Sequence, residues 1–272
     1  MYYDYYQLKE NPFNVTADSF FFFPSKSHGE AFSHLKFGIE QRKGIIAITG
    51  EIGTGKTTLC RTLINRLDNN IKTALILNPK FSETQLLQMI VHDLGIEGNF
   101  RGKFALVTAL NQFLFSESEI GHNVAIIIDE AQNLTPKQLE SIRLLSNLET
   151  EKDKLLQIVL VGQPELKKKL LLPELRQLNQ RIIVRYHIQP LNRDEVAQYI
   201  LHRLKLASKS PETFSAIRFD TAALDAIYQL SQGRPRMINI LCDRALLASF
   251  VQDSYIIQES VIRSCAEELL LI

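Results

Sequence analysis

"GIIAITGEIGTGKTTLC", residues 44–60, joins a short apolar run to a helix-like run through a stretch dominated by glycine, threonine and one lysine. Within it, Gly50-Glu51-Ile52-Gly53-Thr54-Gly55-Lys56-Thr57 completes the spacing G-x-x-x-x-G-K-[ST] of a phosphate cradle. In such a loop successive backbone N–H groups turn inward around phosphate oxygens, and side chains in place of the glycines would block that approach. Lys56 is expected to reach the β- and γ-phosphates of ATP and the Thr57 hydroxyl to coordinate Mg²⁺, while the N-terminus of the following helix adds a favourable dipole. Residues Gly50 to Thr58, including Glu51, Ile52 and Thr54, are the expected nucleotide-binding set.

A second element answers the first. "AIIIDEAQ", residues 125–132, is a buried-strand pattern ending in Asp129-Glu130. Such a strand delivers Asp129 to the edge of a sheet, where its carboxylate serves the magnesium shell, and leaves Glu130 placed to polarise an attacking water as a general base. The adjacent glutamate argues for water as phosphate acceptor, so the expected reaction is ATP hydrolysis.

Around these two motifs the sequence alternates strand and helix patterns. "KTALILN" reads as a second strand and "SETQLLQMIVHDLG" as a helix opened by a Ser-x-x-Gln capping box. "FALVTALNQFLFSES" is another helix, and "TPKQLESIRLLSNLET" is a helix with Pro136 at its first position. "LLQIVLVGQPEL" and "RIIVRYHIQPL" supply a fourth and a fifth strand. Continuous apolar strands alternating with helices predict a parallel sheet covered on both faces. The helix after the glycine loop is expected to run from Lys56 to about Leu67. After Pro190 strands are expected to cease: "NRDEVAQYILHRLKLAS" is capped by Asn192 with Glu195, and "DTAALDAIYQLSQG" starts at Asp220 and closes on Gly233. "PRMINILCDRALLASF" and "QESVIRSCAEELLLI" complete a small helical unit. The expected domains are 1–190, with an aromatic N-terminal arm, and 191–272.

Two further positions belong to the expected site. "VGQPEL" puts Gln163 at the tip of the fourth strand, where an amide contacts the γ-phosphate or orients the water, or else bonds the backbone. "GRPR", residues 233–236, opens a helix whose start can turn toward the nucleotide, with Arg236 the preferred γ-phosphate sensor and Arg234 the alternate.

Composition bounds the remaining classes. Thirty-one basic and 30 acidic residues give a formal charge of +1, which does not argue for wholesale nucleic-acid or anionic-membrane binding. The dense basic run Lys167-Lys168-Lys169 reads as a solvated helix face. Cys60, Cys242 and Cys265 are widely spaced and read as buried thiols in a reducing compartment. Scattered histidines (His92, His122, His187, His202) read as surface or packing residues, so the expected metal is nucleotide-bound Mg²⁺ alone. The N-terminus lacks a signal-peptide pattern, and apolar runs such as Phe20 to Phe23 fall far short of the roughly 20 residues of a spanning helix. Nine of the 23 aromatic residues lie in the first 23 positions, expected to pack an N-terminal arm onto the domain, with Phe13 and Tyr6 as candidates to cover the adenine base.

The P-loop, the D-E box, the strand-tip amide and the G-x-P-R turn, in this order, resemble the AAA+ ATPases. The combination of "NPFNVTADSFFFFPS", "GEIGTGKTT", "IIIDEAQNL" and "VGQPEL" is similar to the secretion-type ATPases related to general secretion pathway protein A, and in size to the members that serve mannose-sensitive haemagglutinin pilus biogenesis. The resemblance implies an α/β three-layer P-loop domain with a five-stranded parallel sheet, followed by a small all-α lid. It implies a homo-oligomer in the ATP state, a hexameric ring among the forms, and an arginine finger offered to a neighbouring subunit. Arg181, closing "PELRQLNQR" before the fifth strand, matches that finger, with Arg176 as runner-up. The implied partner is an inner-membrane pilus or secretion assembly protein, reached from the cytoplasm by a chain without its own span. Larger relatives continue into a membrane helix and a peptidoglycan-binding module that this sequence does not show. Two other readings stand beside this one: a DNA-associated ATPase of the transposition-helper type, and an ATP-dependent switch that hydrolyses slowly.

Overall fold

Six- and seven-residue runs become the strands of one sheet, and the central ones are largely apolar because a parallel strand covered on both faces buries both. The computed structural model describes residues 2–150 and 153–269. In chain order, α1 (Tyr2–Tyr5) and α2 (Lys26–Glu40) precede β1 (Ile45–Gly50), α3 (Lys56–Ile64) and β2 (Ile71–Ile76). Then come α4 (Glu83–Asp93), α5 (Gly102–Glu119), β3 (Asn123–Ile128), α6 (Pro136–Leu145) and β4 (Leu156–Gly162). The short helices α7 (Pro164–Leu170) and α8 (Arg176–Arg181) lead into β5 (Ile182–Ile188). The remainder holds α9 (Arg193–Ala207), α10 (Pro211–Ala216), β6 (Arg218–Phe219), α11 (Thr221–Ser231), α12 (Pro235–Val251), β7 (Ile256–Ile257) and α13 (Glu259–Glu268).

The five-stranded sheet has the order β2-β3-β4-β1-β5, and all its pairings are parallel. Every residue of β1, β3 and β4 is buried, as a central strand requires. Because the pairings are parallel, the C-terminal ends of β3, β4 and β1 emerge side by side at one edge. Asp129 therefore stands one strand from Gln163 and two from the glycine loop.

Local signals set the helix boundaries. Ser82 and Gln85 form the expected capping box of α4, and Thr135 with Gln138 forms another ahead of Pro136. Asn192 with Glu195 caps α9, and the Asp220 side chain accepts from the Ala223 amide at the start of α11. Helix α3 ends at Ile64, earlier than expected, because the chain passes into turns closed by Arg66 and Leu67 amides on the Leu63 carbonyl. The last three residues of the expected C-terminal helix, 270–272, lie outside the described residues.

Contacts divide the chain into two units. One comprises His28–Gly50 and Lys56–Ile188, the sheet with its helices. The other comprises Met1–Ser27, Glu51–Gly55 and Gln189–Ile272, so the aromatic segment groups with the C-terminal helices and not with residues up to 190. Within this second unit Tyr6, Leu8, Phe13 and Phe21 share a core with Val196, Leu204, Ile238 and Leu246. Tyr6 and Phe13 are fully buried there and leave no ring face for a base, which overturns their reading as adenine covers. The buried Arg203 guanidinium ties the segment down. It donates to the carbonyls of Pro12 and Asn14 and to the Tyr199 hydroxyl, and lies 4.4 Å from the Phe21 ring centroid.

The second unit is not wholly helical. β6 and β7 form a two-stranded parallel pair, contrary to the expectation that strands cease after Pro190. Two-residue strands carry no readable periodicity, and this pair is set by long-range bonds such as the Arg218 amide to the Tyr255 carbonyl.

Gly233 is the tightest point of this unit. Its φ is +69°, and a Cβ built there would lie 1.9 Å from the Leu191 carbonyl oxygen, while its own carbonyl accepts from the Leu191 amide. Gly233→Ala combines left-handed strain with a backbone clash and is expected to cost about 1–3 kcal/mol. At about 2–4 °C per kcal/mol for chains of this size, the thermal midpoint should fall by several degrees. An Ala variant melting with the parent would refute the close approach.

Candidate functional site

The site begins at the end of β1. Lys56 opens α3, is buried, and its Nζ donates to the Gly50 carbonyl at 2.9 Å, folding the loop back on itself. At the loop tip the Thr54 hydroxyl donates to the Glu51 carbonyl at 2.8 Å, Gly53 has φ +78°, and Ile52 is exposed. A Cβ on Gly53 would come within 2.9 Å of the Arg236 Cβ, and the Arg236 amide donates to the Gly53 carbonyl. Arg236 is exposed, and its guanidinium makes no hydrogen bond or ion pair among the described residues. Arg234 instead turns back to the Ser231 carbonyl.

Asp129 follows β3 and is 1% exposed. Its amide donates to the Ile76 carbonyl, holding the residue in line with β2. One carboxylate oxygen accepts from the Thr57 hydroxyl at 2.5 Å and the other from the Glu130 amide at 2.8 Å. Burial pushes the Asp129 carboxyl above the ordinary carboxylate range. The Thr57 and Glu130 hydrogen bonds and the Lys56 charge oppose that push, and the Glu130 charge adds to it. A buried carboxylate in contact with a threonine hydroxyl is a hard-oxygen donor pair, and it fits Mg²⁺.

Glu130 departs from ordinary backbone. Its φ and ψ are +52° and +34°, a left-handed conformation for a residue with a full side chain. Such strain persists where the surroundings over-determine it and gathers at functional sites. Here the carboxylate Oε2 accepts from Gln163 Nε2 at 3.0 Å and from Gln132 Nε2 at 2.5 Å. Gln163 thus bonds the Glu130 carboxylate directly.

Sequence reasoning missed Gln132 and Lys169. Lys169 is no solvated face: its Nζ donates to the Gln132 carbonyl at 2.5 Å and the Leu134 carbonyl at 2.7 Å. The flanking Lys167 and Lys168 are exposed, as expected. The "Q" of "DEAQ" was the available signal for Gln132, and nothing local distinguished Lys169 from its neighbours.

Arg181 closes α8 and bonds Asn147 and Ser146 just beyond α6. Arg176 is exposed at the start of α8. Among the described residues no group of three or more His, Cys, Asp or Glu is placed to hold a metal ion, and no helix is long and apolar enough to cross a membrane. All three cysteines are buried thiols.

Residues 39–170 match the family described as AAA domain. In fold the chain is similar to the CDC6 protein of Pyrobaculum aerophilum, with TM-score 0.68 and 18% identity over 89% of this chain and 66% of that one. It is similar also to ORC2 of Aeropyrum pernix, with TM-score 0.65 and 17% identity over 89% and 66%. For a RuvB variant of Thermotoga maritima the figures are 0.56 and 18%, over 89% and 69%. A phosphate-loop sequence after β1, an acidic pair after β3 and the strand order between them give this chain the AAA+ type of α/β three-layer P-loop fold. Over 270 residues, 99% of its length, it is 40% identical to general secretion pathway protein A of Aeromonas hydrophila, of which it covers 48%. The chain is thus a relative of general secretion pathway protein A and spans about half the length of that protein.

Proposed function

We propose that this chain binds and hydrolyses ATP and uses the cycle to assist assembly of a bacterial envelope machine, a type IV (MSHA-like) pilus or a type II secretion-like system, from the cytoplasmic side. The observation that carries the nucleotide chemistry is the meeting of the two motifs: Thr57 Oγ1 lies 2.5 Å from Asp129 Oδ2 although 72 residues separate them. In this reading the loop amides and Lys56 bind the β- and γ-phosphates, Thr57 and Asp129 hold Mg²⁺, and Glu130 takes the proton of the attacking water. Bound Mg²⁺ neutralises charge on the phosphate oxygens. Gln163 holds Glu130, and Arg236, beside Gly53, reads the γ-phosphate. The likeness to general secretion pathway protein A supports the assembly role and an inner-membrane protein as partner.

Lys56→Ala tests both halves. Losing a charge-assisted hydrogen bond of about 1.5–3 kcal/mol should weaken binding of a fluorescent ATP analogue at least about tenfold. In a pull-down from membrane extract, ATP-loaded parent protein should retain an inner-membrane assembly protein, and the Lys56→Ala variant should not. Parental ATP affinity in the variant would overturn the cradle. Recovery of nuclease-sensitive DNA complexes alone would overturn the assembly role in favour of the DNA-associated reading.

A further inference from the structure

Glu130 sits in a conformation its own backbone disfavours, so something outside it must fix the direction of its carboxylate. Lys169, Gln132 and Gln163 converge on Glu130 and the turn that follows it. Lys169, reaching from α7, donates to the Gln132 and Leu134 carbonyls and so holds the single 3₁₀ turn Ala131–Asn133 from beneath. The Gln132 side chain then bridges two elements. Its Oε1 accepts from the Gln163 backbone amide at 3.0 Å, which orients the group, and its Nε2 donates to Glu130 Oε2. Gln163 Nε2 donates to the same oxygen. Both amides therefore grip one carboxylate oxygen, and Oε1 makes no hydrogen bond among the described residues.

The end of β4 is shaped for this bridge. A Cβ on Gly162 would lie 2.8 Å from Gln132 Oε1 and 3.0 Å from a Leu166 methyl. The absence of a side chain at 162 leaves the space in which the Gln132 amide lies.

We infer that Gln132, anchored by Lys169, is a positioning residue that aims the free oxygen of Glu130 at the attacking water, an inference that rests on the hydrolytic reading above. Gln132 touches neither phosphate nor water in this account; it acts through Glu130.

The test compares steady-state hydrolysis and ATP-analogue binding for the full chain and four variants, with thermal midpoints measured alongside. Gln132→Leu should keep parental ATP affinity and KM and lose roughly 10- to 100-fold in kcat from misplacement of the base. Gly162→Ala, which leaves Gln132 in the chain but displaces its amide, should lower kcat in the same direction. Lys169→Met keeps the apolar stem and removes the ammonium, and should also lower kcat, whereas Lys167→Met on the same helix should leave it unchanged. A Gln132→Leu protein with parental kcat overturns the positioning role alone. A parent that binds ATP and turns none over overturns the hydrolytic reading as well. A kcat loss that follows the thermal midpoint, or that comes with an equal loss of ATP affinity, overturns positioning in favour of plain structural support.

Discussion

Glu130→Gln is expected to bind ATP as the parent does and to hydrolyse it about 10² to 10⁴ times more slowly, the range contributed by a positioned general base. The substitution is close to isosteric, and the amide can still accept from Gln132 and Gln163 through its oxygen. What is lost is the capacity to take a proton. Asp129 does not substitute for it: it is buried, and both its oxygens are committed to Thr57 and the Glu130 amide. Single-turnover phosphate release beside equilibrium titration with a fluorescent ATP analogue separates the two effects. If kcat is retained, water is activated by another group and Glu130 has only a structural role. If affinity and kcat fall together, the left-handed turn at 130 has collapsed and the loss says nothing about the base.

The elements that frame this site were legible because each announces itself over a few consecutive residues. "AIIIDEAQ" places a fully buried strand directly against two acids, and the spacing of the glycine loop needs no partner to be recognised. The caps at Ser82, Asn192 and Asp220 likewise depend on a residue and its third neighbour. What stayed hidden depends on chain brought together from afar. Lys169 meets carbonyls 37 and 35 positions upstream, and without the fold its row of three lysines resembles any solvated helix face. The left-handed backbone at Glu130 is equally silent, since sequence points to such a conformation chiefly through glycine or asparagine.

Arg203 makes the same point within the second unit. In "LHRLK" a helical arginine reads as exposed, yet here it is 5% exposed and its donors go to backbone carbonyls 191 and 189 residues away. The aromatic run at the N-terminus was readable as packing, but its destination was not: hydrophobicity specifies that rings are buried and not against which helices. The grouping of residues 51–55 with this unit, through Gly53 and Arg236, lay outside any local signal for the same reason.

Arg181→Ala is expected to fold, to bind ATP, and to lose turnover by about 10³-fold or more, if the arginine completes the site of a neighbouring subunit as fingers do in other P-loop enzymes. Its surroundings are compatible with that role. The guanidinium is held by neutral oxygens, the Asn147 side-chain carbonyl and the Ser146 hydroxyl, and forms no ion pair among the described residues. The carboxylate that feels its charge, Glu140, is held low chiefly by Arg143, which bonds it directly. The guanidinium thus faces no paired carboxylate among the described residues, and Asn147 and Ser146 hold the planar group at the end of α8, as a finger would require. A trans role makes a prediction that a structural arginine does not. Mixing Arg181→Ala with Glu130→Gln protein, each inactive alone, should restore hydrolysis, because some interfaces then pair an intact Glu130 with an intact Arg181. Activity per subunit of the parent should likewise rise with protein concentration. Concentration-independent turnover by the parent, together with no rescue on mixing, would remove Arg181 from the site and leave it as the clasp between α8 and the segment after α6.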